Sequence, residues 1–310
     1  MAGTIASWLR IPALTSGAIA VVGSFLLYFK QNELIYPRNI PFDSRTEAGV
    51  PRPEQFGIEK YRDIRIQTPD GESLAAYYIK PSRSEPINKA TILMFHGNAG
   101  NIGHRLPIAK ALAETNRLNV LMLEYRGYGL STGIPDEKGL NIDSQAGLDW
   151  IRNYGGGDGD EKAVDEGNGR GKTIIYAQSI GGAVAIQLAA RNQASGDILG
   201  MVLENTFLSI KKMIPSAFPP ARFLAPLCHQ VWPSEETLPK VTDVPILFIS
   251  GLKDEIVPPA HMAQLFAQCQ ARTKIWREIV NGDHNSSVTD PDYFRSIYQF
   301  ISGEVLKGKN

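Results

Sequence analysis

From residue 91 onward the chain alternates short, continuously apolar runs with longer stretches that carry apolar residues at helical spacing. The runs fall at 91–95, 120–124, 173–177, 200–203, 245–250 and 274–280. The helical stretches fall at 105–114, 136–153, 181–193 and 260–269. A strand that is apolar along its whole length is buried on both faces, which is the situation of a parallel sheet covered by helices. Before this pattern, 61–67 and 73–79 flank Pro69-Asp70-Gly71, a turn signal that makes them an antiparallel hairpin. The expected fold is therefore α/β, a mostly parallel sheet of about eight strands with helices on both faces.

Composition narrows the class further. The 310 residues are 43% apolar, enough for a substantial core. Lysine and arginine number 32 against 32 aspartates and glutamates, so the basic face of a nucleic-acid binder is not expected. Two cysteines, Cys228 and Cys269, make neither a disulfide framework nor a four-thiolate zinc site.

Residues 11–29 (IPALTSGAIAVVGSFLLYF) carry no charge and lie between Arg10 and Lys30. Roughly 20 apolar helical residues cross the hydrocarbon core of a bilayer. Pro12 stands near the start, where a helix tolerates it, and Tyr28 stands where an amphipathic ring meets headgroups. Residues 1–30 are thus expected to be a single-pass membrane anchor. A cleaved signal peptide, the alternative, has a shorter apolar run followed by small residues, whereas Ala18-x-Ala20 lies inside this one. Arg10 and the amino terminus balance Lys30, Arg38 and Arg45. The positive-inside rule taken literally puts the folded part in the cytosol, and a lumenal placement stays open. The endoplasmic reticulum and the plasma membrane are the expected membranes.

A polar, proline-spotted stretch, 31–56, reads as a linker to a folded domain spanning 57–310. Two segments interrupt that domain. Residues 155–171 (GGGDGDEKAVDEGNGRG) lack apolar periodicity and read as a flexible surface insertion. A phosphate loop is disfavoured there, because the segment follows a helix and not a strand. Residues 206–240 hold six prolines with Phe207, Phe218, Phe223 and Trp232. They are expected to form a small cap over a pocket, with a plain long connection as the alternative.

The sharpest chemical signal is Tyr176-Ala177-Gln178-Ser179-Ile180-Gly181-Gly182, at a strand end and a helix start. A nucleophilic serine projects from such a tight turn when small residues flank it, as in G-x-S-x-G. Here Ala177 replaces the first glycine, and a serine that merely caps the helix is the plainer reading. Among five histidines, His284 follows the last strand in Asn281-Gly282-Asp283-His284-Asn285 and can reach the strand ends as a base. Asp254, in Gly251-Leu252-Lys253-Asp254, follows the preceding strand and would orient His284, with Glu255 the rival acid and helix capping its plainer role. The order Ser179, Asp254, His284 is the one this arrangement demands. Two backbone amides must hold a developing oxyanion. Ile180, after the serine, is one, and Asn98, in the loop His96-Gly97-Asn98-Ala99-Gly100-Asn101, is the other candidate. Gly97, Gly100 and Gly103 have G-x-x-G-x-x-G spacing, which does not match a dinucleotide fold. His96 reads as a residue that orders its loop.

These motifs, with Tyr125-Arg126-Gly127-Tyr128-Gly129-Leu130-Ser131, occur in the order found in α/β-hydrolases. From about residue 61 to the C-terminus the chain resembles that superfamily. With its N-terminal anchor it is similar to the bud-emergence group of fungal hydrolases and their animal ABHD relatives. The resemblance implies a serine hydrolase fold and triad, and some relatives remove palmitate from proteins or cleave lipid esters. The expected reaction is cleavage of an ester or thioester, lipid-like or carried on an acylated protein, with no metal or cofactor needed, and the balanced charge leaves no nucleic-acid partner expected. The fold alone does not transfer a substrate. A catalytically silent scaffold and a C–C bond hydrolase of the same fold are the rival functions.

Overall fold

A computed structural model of the chain describes residues 23–25, 28–82, 90–155, 171–217 and 219–307. Most of the expected anchor, the interior of the 155–171 insertion and Phe218 lie outside the described residues. Among the described residues, no helix is long and apolar enough to cross a membrane.

The strands are β1 (Tyr61–Gln67), β2 (Ser73–Ile79), β3 (Ala90–Phe95), β4 (Asn119–Leu123), β5 (Lys172–Gln178), β6 (Ile198–Glu204), β7 (Ile246–Gly251) and β8 (Lys274–Ile279). They form one sheet in the order β1-β2-β4-β3-β5-β6-β7-β8. The β1–β2 and β2–β4 pairs are antiparallel and all the others parallel. The expected strands are present with ends shifted by no more than two residues, and the hairpin bounds agree with the reading.

The helices are α1 (Leu106–Asn116), α2 (Glu137–Tyr154), α3 (Ile180–Asn192), α4 (Ile210–Ala217), α5 (Ser234–Thr237), α6 (Pro259–Gln268) and α7 (Tyr293–Phe300). The apolar strands divide their side chains by the two-residue period of extended chain. Leu93, Phe95, Leu121, Leu123, Ile175, Ala177, Ile246 and Phe248 join a core with Leu148 of α2, Val184 of α3 and Leu265 of α6. Their neighbours Ile92, Met94, Val120, Met122, Ile174, Tyr176, Leu247 and Ile249 join a second core with Leu112 of α1 and Ile297 of α7. Both faces are covered, which is why these strands needed no polar alternation.

One reading of the connecting segments is modified, and a second gains detail. The stretch 31–56 is packed onto the domain and is not a free tether. Tyr36 is 1% exposed, and its hydroxyl donates to Gln230 Oε1 (2.7 Å) while accepting from Trp232 Nε1 (2.9 Å). Its backbone also meets the loop after β3, since Ile40 O accepts from Gly100 N–H and the Asn101 amide donates to Ser44 O and Gly49 O. In 206–240, α4, a 3₁₀ turn at Pro219–Leu227 and α5 follow one another. Of its aromatic residues, Phe207 is buried and lines a cavity, Phe223 is exposed, and Trp232 is fully enclosed in the core. Trp232 therefore holds the segment down and does not face a ligand.

Candidate active site

Ser179 sits between β5 and α3 at φ 55° and ψ −121°. A non-glycine residue there costs on the order of 1–3 kcal/mol and is held only when its surroundings enforce it. The enforcement is visible on both sides. Ser179 N–H donates to Glu204 O of the neighbouring strand (2.9 Å), and Ser179 O accepts from Thr206 Oγ1 (2.7 Å). A Cβ on Gly181 would stand 2.4 Å from Phe95 O, and one on Gly182 would stand 2.5 Å from Thr206 Cβ. The helix can start this close to the sheet because both residues lack a side chain. Ala177, by contrast, lies within β5 in register with Phe95 and Leu203, and its methyl is part of the core.

The structure brings the three residues of the expected triad together. His284 Nε2 lies 3.1 Å from Ser179 Oγ, and His284 Nδ1 lies 2.8 Å from Asp254 Oδ2. All three are buried. Asp254 also accepts the backbone N–H groups of Ile256 (2.9 Å) and Val257 (2.8 Å) on Oδ1. The capping role and the orienting role are thus divided between its two oxygens. Glu255 is exposed and outside this arrangement.

Asn98 and Ile180 line the same cavity as Ser179 and His284. Among the described residues no hydrogen bond engages either backbone amide. The Asn98 side chain is fixed on both ends, donating to Ile35 O (2.5 Å) and accepting from the Tyr128 hydroxyl (2.6 Å). His96 is buried, with Nδ1 2.8 Å from Gly97 O and Nε2 3.0 Å from Glu124 Oε1, in keeping with a loop-ordering role. That last pair lacks hydrogen-bond geometry.

Several supporting residues escaped the sequence reading. Gln178 Nε2 donates to His284 O (3.2 Å). The Asn205 amide donates towards Asp283 O, His284 O and Ser287 Oγ (3.2–3.4 Å), while its Oδ1 accepts from Gly251 N–H (2.8 Å). One side chain thus links the ends of β6 and β7 to the histidine loop. Asn205 does so from φ 45°, a conformation that asparagine tolerates better than most residues. Glu204 is fully buried, and its Oε2 accepts from the Tyr176 and Tyr293 hydroxyls at 2.8 and 2.6 Å. Burial raises the Glu204 carboxyl above its ordinary range.

The cavity has a volume of about 1010 Å³. Its walls include Phe207, Ile210, Met213, Ile214, Leu227 and Val257, all apolar. Such a wall suits an apolar group. Among the described residues no group of histidine, cysteine and carboxylate side chains could hold a metal ion.

Behind the loop after β3, Arg126 forms a buried junction. It donates through Nε and Nη2 to Asp143 Oδ1 (2.9 and 2.7 Å) and through Nη1 to Asp70 Oδ2 (2.8 Å). Tyr125 and Tyr128 on either side hold His96 O and Asn98 by their hydroxyls. Burial pushes Asp143 up to about 6, and hydrogen bonds from Arg126 and then Thr68 pull Asp70 down to about 2. The two shifts have opposite signs. Asp70 adds stability that is complete above its ordinary value of 3.8 and is lost as pH falls towards 2. Asp143 takes up its proton from about pH 6 downward without opposing the fold. Urea denaturation should show Arg126→Leu destabilised by about 3–5 kcal/mol at neutral pH, because Asp143 is left buried and uncompensated. Asp70→Asn should be less stable than the parent above pH 4, with the difference closing towards pH 2. An unchanged midpoint for Arg126→Leu would remove the junction from the account.

Comparison with known proteins places the fold in a family. Residues 86–242 match the family model described as Serine aminopeptidase, S33 (Hydrolase_4). The chain is 39% identical over 307 residues to "Protein bem46" of Schizosaccharomyces pombe, covering 97% of each. It is 34% identical over 285 residues to "Uncharacterized membrane protein YNL320W" of Saccharomyces cerevisiae, covering 92% of this chain and 93% of that one. A solved α/β-hydrolase from Vibrio vulnificus superposes with a TM-score of 0.66 at 19% identity, over 86% of this chain and 91% of that one. The chain belongs to the Hydrolase_4 family of α/β-hydrolases, among relatives that include bem46.

Proposed function

We propose that the chain is a membrane-anchored serine hydrolase that cleaves an ester or thioester, lipid-like or carried on an acylated protein. The observation that carries this reading is the continuous chain from Ser179 Oγ through His284 to Asp254, at 3.1 and 2.8 Å. Ser179 Oγ would attack the carbonyl carbon while His284 Nε2 takes its proton. Asp254 holds the other ring nitrogen and stabilises the imidazolium. The amides of Ile180 and Asn98 would take the oxyanion. Collapse breaks the bond to the alcohol or thiol, which leaves with the proton from His284. Water, deprotonated by His284, then attacks the acyl-serine and releases the acid and Ser179.

Cys228 also lines the cavity but is a poor rival nucleophile. Burial raises its thiol above the ordinary range, and its S–H donates to Gln230 O at 3.2 Å. A fluorophosphonate probe applied to membranes should label the parent chain and leave Ser179→Ala unlabelled. Turnover of a 4-nitrophenyl ester should fall on the order of thousandfold or more in Ser179→Ala and in His284→Ala. Labelling that persists in Ser179→Ala would overturn the assignment.

The membrane part of the proposal rests on the uncharged run 11–29, on the exposed large apolar side chains of Phe25, Tyr28 and Phe29 within it, and on Leu34 just after it. The printed name of the Saccharomyces cerevisiae relative as a membrane protein supports the same reading. Alkaline carbonate should leave the full chain in the membrane pellet of endoplasmic reticulum or plasma membrane and release a chain lacking residues 1–29. Release of the full chain would contradict an integral anchor.

A further inference from the structure

Arg105 is the one permanently charged side chain among the described residues that line the cavity, and no carboxylate lines it. Among the described residues it makes no ion pair, and its Nε is buried without a hydrogen-bond partner. It ends the 3₁₀ turn Ile102–Arg105 and directly precedes α1. The carboxylate whose charge it feels, Glu204, is fully enclosed and bonded to Tyr176 and Tyr293. A guanidinium that lines a cavity with a donor unused among the described residues is suited to bind an anionic oxygen pair.

Topology places this cation relative to the reacting centre. In the sheet, β5 lies between β3 and β6, so the segments leaving β3 and β6 flank Ser179 from two sides. The segment after β6 supplies the apolar wall of Phe207, Ile210 and Met213, and the segment after β3 supplies Arg105. An acyl ester spanning Ser179 would have its hydrocarbon against the first and its alcohol or thiol half towards the second.

We infer that Arg105 is a recognition residue for an anionic group, a carboxylate or a phosphate, on the alcohol or thiol half of the substrate. The substrate class is then an acyl ester or thioester with an anionic leaving half. This rests on the hydrolase reading above for the bond placed at Ser179, and its test reads binding without turnover.

Full-length Ser179→Ala chain in phosphatidylcholine nanodiscs would be titrated calorimetrically with three probes: 4-butanoyloxybenzoate, 4-butanoyloxyphenyl phosphate and the neutral 4-butanoyloxybenzamide. At least one anionic ester should bind on the order of tenfold or more tightly than the amide, and the tighter of the two names the anion. Adding Arg105→Gln should collapse that preference, and Arg105→Lys should restore part of it. Equal affinity for all three probes would overturn the inference. So would an Arg105→Gln chain that weakens all three alike with a lowered Tm, which would make Arg105 a structural counter-charge for Glu204. Loss of Ser179 labelling by fluorophosphonate in the parent would instead count against the hydrolase reading.

Discussion

Ser179 is held at a backbone conformation that side-chain-bearing residues seldom adopt, and its place depends on a contact between helix and sheet that leaves no room for two Cβ atoms. Gly181 lies against the carbonyl of Phe95, and Gly182 against the side chain of Thr206. These contacts set α3 directly over the ends of β3, β5 and β6. The Ser179 hydroxyl thereby enters the cavity, and the amide of Ile180 starts the helix beside it. The strain is local, and the two-sided apolar packing of the sheet counters it.

Around that turn, polar side chains at the strand ends fix what the sheet alone leaves loose. Asn205 and Gln178 hold the carbonyl of His284, and Asp254 is fixed by two amides on the oxygen that does not face the histidine. The histidine is oriented from its backbone and from its ring, which suits a base that must receive and return a proton without moving. Residues 31–56 extend the same support outward. Their carbonyls receive the Asn98 side chain and the Gly100 amide, and Tyr36 joins them to Trp232 in the segment after β6. The chain that leaves the expected anchor is therefore part of the wall around the site.

Most of the sheet could be read from sequence because strands buried on both faces leave continuous apolar runs, and period alone then assigns each side chain to a face. Ser179, Asp254 and His284 were legible because each follows a strand and their order is constrained jointly. Asn205, Gln178 and Glu204 were not, since their roles come from which strand ends become neighbours, and single polar residues carry no periodic mark of that. The stretch 31–56 misled for a related reason. Proline and polar composition resemble a tether, whereas its attachments run through backbone carbonyls that every residue has and through single side chains such as Tyr36, whose partners lie far along the chain. Whether Trp232 faced a ligand or the core was not legible, because an aromatic residue in a proline-rich segment looks the same from sequence in either place.

The central claim is that an acyl group resides covalently on Ser179 during turnover. The most direct measurement is rapid acid quenching of the full-length chain turning over a 4-nitrophenyl ester, followed by mass-spectrometric peptide mapping. The account predicts an acyl mass on the peptide containing Ser179, absent from Ser179→Ala. An acyl mass on Cys228, or steady turnover with no adduct on any peptide, would contradict it.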